Sequence, residues 1–253
     1  MTSSDGQLRV AVDGAVATMV IDNPGKRNAM TAAMWRAVPA LLEGLAADPA
    51  VKVVVVEGAG GTFCAGADIG DAAAIAADGE DSVAVRAELA LAAFPKPTIA
   101  RIDGFCVGGG CQLAVACDLR FAADDSRFGI TPAKLGIVYP ASTTRRLVAL
   151  VGPARAKLLL FTAELIDAGA AERIGLVDAV VAPGLLAALV RDTAATIAAR
   201  SQRSVRAAKS IIDGHDLPPR QDPAEIAEGI AAFRERRSPA WPAEDIADAS
   251  QVR

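Results

Sequence analysis

The sequence predicts an α/β fold with mostly parallel sheets. Three observations point there. Strand, loop and helix patterns repeat in that order along most of the chain. Val51 to Val56 is apolar at every position but Lys52, close to the pattern of a strand covered on both faces. Glycines cluster where strands should hand over to helices. At 253 residues the chain suits one large domain or a core with a smaller appendage. That length buries roughly three quarters of the unfolded surface, so no covalent staples are required. Apolar residues make up 52 % but aromatics only 4 %, so alanine, valine, leucine and isoleucine must build the core.

Leu8 to Asp22 alternates, giving two strands joined by a turn at Asp13-Gly14. Asn23-Pro24-Gly25 is a turn. Thr31 to Ala47 has helical spacing, with Met34, Val38, Leu41, Leu42 and Leu45 on one side. After the strand at 51–56 comes a glycine-rich loop, Gly58 to Gly66. Residues 70–93 read as helical, alanine-rich and interrupted by small acidic turns; they are expected to be mobile and to cover a pocket. Thr98 to Ile102 is a second buried strand. It leads into GFCVGGGCQLAVACDLRFA, in which Cys111 to Cys117 reads as a short buried helix and Leu119 to Ala122 as a strand. Helices follow at Ala154–Phe161, Ala168–Ile174, Leu185–Ala199 and Val205–Ile212, with a strand at Val177–Val181. Asp222-Pro223-Ala224-Glu225 opens a last helix with an N-cap acid, proline at the first helical position and glutamate three residues after the cap. Its apolar stripe of Ile226, Ile230 and Phe233 needs a partner surface. The expected division is a core over 1–200 and a helical segment over 201–253.

A net charge of −4 leaves no electrostatic footprint for nucleic acid or an anionic membrane. No apolar run reaches the ~20 residues of a membrane span. MTSSDGQLRV shows no signal-peptide pattern, so a cytoplasmic location is expected. Cys64, Cys106, Cys111 and Cys117 lack metal-site spacing and sit in apolar surroundings; they read as buried free thiols. The single histidine, His215, lies far from them in a polar loop, so neither a metal site nor a Ser-His triad is expected. No GxGxxG, P-loop, GxSxG or HExxH motif occurs.

Backbone chemistry remains. A strand that ends in glycines and begins a helix leaves N–H groups free at the positive end of the helix dipole. Such groups can stabilise a developing oxyanion, one aimed donor contributing ~10²–10³ in rate. The chain offers two such junctions, VVVVEGAGGTFCAGADI and GFCVGGGCQ. If they meet, the N–H groups of Ala67 and Gly109 form a donor pair; if not, each is a tight turn.

The segments FCAGADI, KPTIARIDGFCVGGGCQLAVACDLRFA and RFGITPAKLG, with Asn23-Pro24 and Lys26-Arg27-Asn28-Ala29 near the start and EGIAAFRERRSPAW near the end, resemble the enoyl-CoA hydratase/isomerase family of the crotonase superfamily. The resemblance runs in order from about residue 8 to about residue 241. It implies the crotonase (ClpP-like) spiral of ββα units with a C-terminal helical trimerisation segment, assembled as a homotrimer or a dimer of trimers. It implies an acyl-CoA thioester whose oxygen lies between the N–H groups of Ala67 and Gly109, with the glycines leaving room for it. No cofactor is implied beyond the coenzyme A of the substrate. The coenzyme A pocket would draw on Lys26, Asn28, Ala29, Ala65, Gly66, Asp68, Ile69 and Gly108. Lys26 reads equally as a solvated turn residue, and Asp68 as a local backbone acceptor.

Hydratases of the family use two glutamates as acid and base. Their positions hold Gln112 and Pro132 here, and a further carboxylate position of some isomerases holds Pro140. Glutamine can hold water but exchanges no proton near neutrality. The nominal activity is enoyl-CoA hydration, expected to be weak. TPAKLGIVY, 131–139, resembles methylmalonyl-CoA decarboxylases of the same superfamily and singles out Tyr139, the only tyrosine, as donor or anchor. Those enzymes carry histidine at the place of Ala67 and glutamate at that of Gln112. Decarboxylation of a malonyl-type thioester and non-catalytic acyl-CoA binding are the alternatives. Lys134, Asp118 and His215 read as structural or solvated.

Overall fold

The computed structural model describes residues 6–77, 79–214 and 221–242. His215 lies outside them. Contacts divide the chain into two units, Met1–Ile197 and Ala198–Arg253.

In the first unit, β1 (Gln7–Asp13) and β2 (Val16–Asp22) form the antiparallel pair expected around Gly14. Then follow α1 (Ala32–Ala47), β3 (Val53–Gly58), α2 (Ala72–Ala76), α3 (Val83–Ala92) and β4 (Thr98–Ile102). Next come β5 (Phe105–Val107), α4 (Gly109–Ala116), β6 (Leu119–Ala123) and β7 (Arg127–Gly129). The unit ends with α5 (Ala141–Thr162), β8 (Ile166–Asp167), α6 (Ala168–Arg173), β9 (Ala179–Val181) and most of α7 (Pro183–Ala198). One sheet runs in the order β1-β2-β3-β4-β6-β9, parallel beyond the first pair. A smaller sheet runs β5-β7-β8.

The burial of β3 and β4 explains why both are mainly apolar. Val53, Val54, Val56, Ile99, Ala100 and Ile102 are all closed to solvent. Thr31 caps α1 through its hydroxyl, which accepts from the Met34 N–H. Trp35, Val38, Leu42 and Leu45 then face the core.

Two readings of the sequence change here. Residues 83–92 do not form a loose cover: Val83, Ala84, Val85, Ala87, Glu88 and Leu91 of α3 are buried. The helix read over Ala154–Phe161 is present, but α5 has a further helical stretch ahead of it, from Ala141. Gly152, non-helical at φ 75° and ψ 163°, kinks the chain between the two stretches, and Pro153 opens the second. Thr143, Leu147 and Val151, four apart and buried, carried the signal for the missing turns.

In the second unit, α8 (Gln202–Ile212) and α9 (Pro223–Glu235) are helical. Asp222 caps α9, accepting from the Ala224 and Glu225 N–H groups. Glu225 does not return that bond in the manner of a capping box. Its carboxylate accepts from the Ser201 hydroxyl at 2.7 Å. Ile226, Ile230 and Phe233 are exposed. No helix among the described residues is long and apolar enough to cross a membrane.

Candidate active site

The two glycine junctions meet, but not at the ends of adjacent strands. After β4 the chain turns at Gly104 into β5 of the second sheet before it reaches the three glycines. A bridge between Cys64 and Cys106 runs the two approaches side by side. A second bridge, Met30 to Ala67, holds the first junction from the other side; Met30 N–H donates to Gly66 O, and Asp68 N–H to Met30 O.

Each of the three glycines has its own reason. Gly108 has φ +53° and ψ −112°, a conformation that side-chain-bearing residues rarely adopt. A Cβ on Gly109 would lie 2.9 Å from Cζ2 of buried Trp35 and 3.2 Å from the Ala67 nitrogen. A Cβ on Gly110 would lie 2.3 Å from the Cys64 carbonyl oxygen. Gly109 and Gly110 are therefore required by protein packed against them. Gly110→Ala must push α4 off the Cys64 strand; we expect a loss of about 1–3 kcal/mol, read as a lowered urea midpoint.

The result is a pair of backbone donors. Ala67 and Gly109 are half-exposed, whereas Gly66, Gly108 and Gly110 around them are buried. Gly109 is the first residue of α4, where an N–H has no partner within the helix, and no side chain caps it. The Ala67 N–H donates to no described residue.

Gln112, one turn along α4, is buried, and its Nε2 has no hydrogen-bond partner among the described residues. Tyr139 packs half-buried against the core, its hydroxyl 3.4 Å from the Gly108 carbonyl, to which it donates. Burial first, then the neighbouring Cys111, Cys106 and Glu88, hold its phenol well above the usual range, so it stays protonated. Pro132 begins a 3-10 turn over Pro132–Leu135 and offers no polar group. Lys134 pairs at the surface with Glu164.

Around Lys26 the side chains are engaged with the protein. Lys26 Nζ lies 2.5 Å from Asp68 Oδ2, and Asp68 Oδ1 accepts from the Gly70 N–H. The lysine bond is the main reason the Asp68 carboxyl sits below its ordinary range. Asn28, in the left-handed region at φ 59°, donates to Ala59 O and Thr62 O and accepts from the Asn23 N–H. Ala29 is buried, the Ala65 N–H donates to Arg27 O, and Ile69 is exposed. Asp118 accepts from the backbone and hydroxyl of Thr98.

The sequence reading missed Glu88. Its carboxylate, wholly buried in α3, accepts from the Ser142 and Thr143 hydroxyls and from Arg146 Nε of α5, at 2.6, 2.9 and 2.8 Å. A glutamate spaced with Ala84, Ala87 and Leu91 on a buried helical face was the signal. All four cysteines are free and buried, and among the described residues no three His, Cys, Asp or Glu side chains gather into a metal-binding group.

Comparison with known proteins follows this geometry. The family described as enoyl-CoA hydratase/isomerase matches residues 11–244. A crotonyl-CoA hydratase of Syntrophomonas wolfei is 37 % identical over 199 residues, 77 % of this chain and 76 % of its own. A crystal structure of an enoyl-CoA hydratase/isomerase family member superposes with a TM-score of 0.90 at 36 % identity, covering 97 % of this chain and 100 % of the other. The enoyl-CoA hydratase of Bacillus anthracis gives 0.86 at 29 %, covering 94 % and 99 %. With its α/β architecture, two mixed sheets and paired glycine junctions, the chain belongs to the enoyl-CoA hydratase/isomerase family of the crotonase superfamily.

Proposed function

We propose that this protein binds an acyl-CoA thioester and stabilises the enolate formed from it at the N–H groups of Ala67 and Gly109. The meeting of those two half-exposed donors carries the reading. As the thioester oxygen gains charge, both dipoles and the positive end of α4 favour it. Lys26, Asn28, Ala29, Ala65, Gly66, Asp68, Ile69 and Gly108 would frame the coenzyme A moiety. Asn28 and Asp68 do so by shaping the loop, since their polar atoms are bonded to protein.

Enoyl-CoA hydration is the nominal reaction: water adds at the β-carbon, the electron pair moves to the thioester oxygen, and a proton returns to the α-carbon. Gln112 can hold that water through its unpartnered amide. It cannot take the proton, and Pro132 offers no replacement. Hydration of crotonyl-CoA is therefore expected to be slow.

Decarboxylation of a malonyl-type thioester is favoured by one observation. The protonated hydroxyl of Tyr139 stands beside Gly108. Breaking the carbon–carbon bond sends its electron pair to the same thioester oxygen, and carbon dioxide leaves without a base. Tyr139 then supplies the proton to the α-carbon and is reprotonated from solvent.

Mass spectrometry of a thioester panel containing enoyl-CoAs, malonyl-CoA and methylmalonyl-CoA tests both. Gain of water supports hydration, and loss of carbon dioxide the second reading. Binding of coenzyme A esters without any turnover would overturn the enzymatic reading in favour of a binding protein. A homotrimer or dimer of trimers is proposed as well, supported by exposed Ile212 and Phe233; light scattering should report a multiple of three chains.

A further inference from the structure

Glu88 is the buried charge that this chemistry leaves unused. A carboxylate taken fully out of water persists only when paired and hydrogen-bonded. Its three partners all come from one turn of α5, Ser142 to Arg146. The helix α5 begins two residues after Tyr139. Tyr139 in turn reaches back to Gly108, the N-cap of α4. Glu88 thus ties α3 to the segment that sets the tyrosine against the glycine junction.

We propose that Glu88 is a positioning residue for Tyr139, clamping the start of α5 so that the tyrosine hydroxyl stays on the Gly108 carbonyl. The role as a positioning residue rests on the reading of Tyr139 as part of the reaction site; the clamp itself does not. The carboxylate also acts on the phenol through space. The groups facing Tyr139 are Cys111 of α4, Cys106 of β5 and Glu88 of α3, and each disfavours the phenolate. Arg146 offsets the charge of Glu88, and Glu80 meets α5 separately by accepting from the Ala141 N–H.

Because Tyr139 is the only tyrosine, its ionisation can be followed alone. Ring-fluorinated tyrosine, more acidic than tyrosine, is incorporated at that position and titrated by fluorine NMR on the folded full-length protein. Glu88→Gln keeps the shape and removes the charge, so the midpoint should fall, by on the order of one unit. Arg146→Met removes the offsetting positive charge and leaves the Ser142 and Thr143 hydroxyls on the carboxylate, so the midpoint should rise. Opposite directions establish the coupling. A fall in both variants, the mark of packing disturbed at large rather than of the Glu88 charge, overturns the proposal, as does no movement in either. If Glu88→Gln fails to fold, Arg146→Met decides alone: a rise supports the proposal and a fall overturns it. On any thioester the protein turns over, Glu88→Gln should lower kcat with KM nearly unchanged. The titration needs no substrate, so a silent thioester panel would remove the proposed function and leave the clamp standing.

Discussion

Gly109→Ala is expected to lower kcat/KM by roughly 10²–10³ on any thioester that the protein converts, the value of one aimed backbone donor. The added methyl would lie 3.2 Å from the Ala67 nitrogen and 2.9 Å from Trp35 Cζ2. It would crowd the second donor while forcing the indole or α4 aside. Trp35 is fully buried, so the ring cannot swing into solvent, and a fall in stability of about 1–3 kcal/mol should accompany the kinetic loss. Gly110→Ala is the control. It strains the same helix against Cys64, with no new atom at Ala67. Steady-state kinetics at a temperature where both variants are folded separates the two effects. If Gly109→Ala stays within about tenfold of the parent, the donor pair is not where the charge develops.

Alkaline pH should destabilise this protein while its arginine ion pairs keep their charge. Burial pushes the Cys64 thiol from an ordinary 9.0 up to about 12. Cys106 is raised by the same burial, and Tyr139 above its ordinary 10.0. The folded state therefore holds protons that the unfolded chain releases. Stability from Cys64 is fully present below pH 9 and is lost as pH rises from 9 toward 12. At 1.36 kcal/mol per unit, this one thiol contributes about 4 kcal/mol across that window. Urea unfolding between neutrality and about pH 11 should show the decline, and Cys64→Ala should flatten it. Parallel curves for parent and variant would count against the assignment.

The strand β3 was legible because its burial is written in four consecutive valines, and β1 and β2 because their residues alternate. The glycine junctions were legible because three adjacent glycines demand a cause. That cause was only half readable: contacts with Trp35 and Cys64 come from residues 74 and 46 positions away, and no local pattern encodes them. The short strands β5 and β7 escaped notice, since three residues carry too little periodicity to register. Glu88 escaped because an alanine-rich helix with one acid resembles a solvated one until its partners on α5 are known. Asn28 read as part of the coenzyme A pocket, and the bonds by which its amide holds the Ala59–Thr62 loop were not readable from local pattern.

The donors at Ala67 and Gly109 are main-chain atoms, whereas positions 112, 132 and 139 differ from one chain to another through their side chains alone. A single codon change can delete or install an acid at 112, 132 or 139. No ordinary codon change removes an N–H except one to proline. Donors of this kind are thus inherited with the backbone, and side-chain chemistry is open to point mutation. A chain that loses its proton-transfer groups keeps the costly half of its machinery. Installing glutamate at positions 112 and 132 is the shortest route by which this scaffold could be moved toward fast hydration, and the same asymmetry lets one fold host many reactions without rebuilding its core.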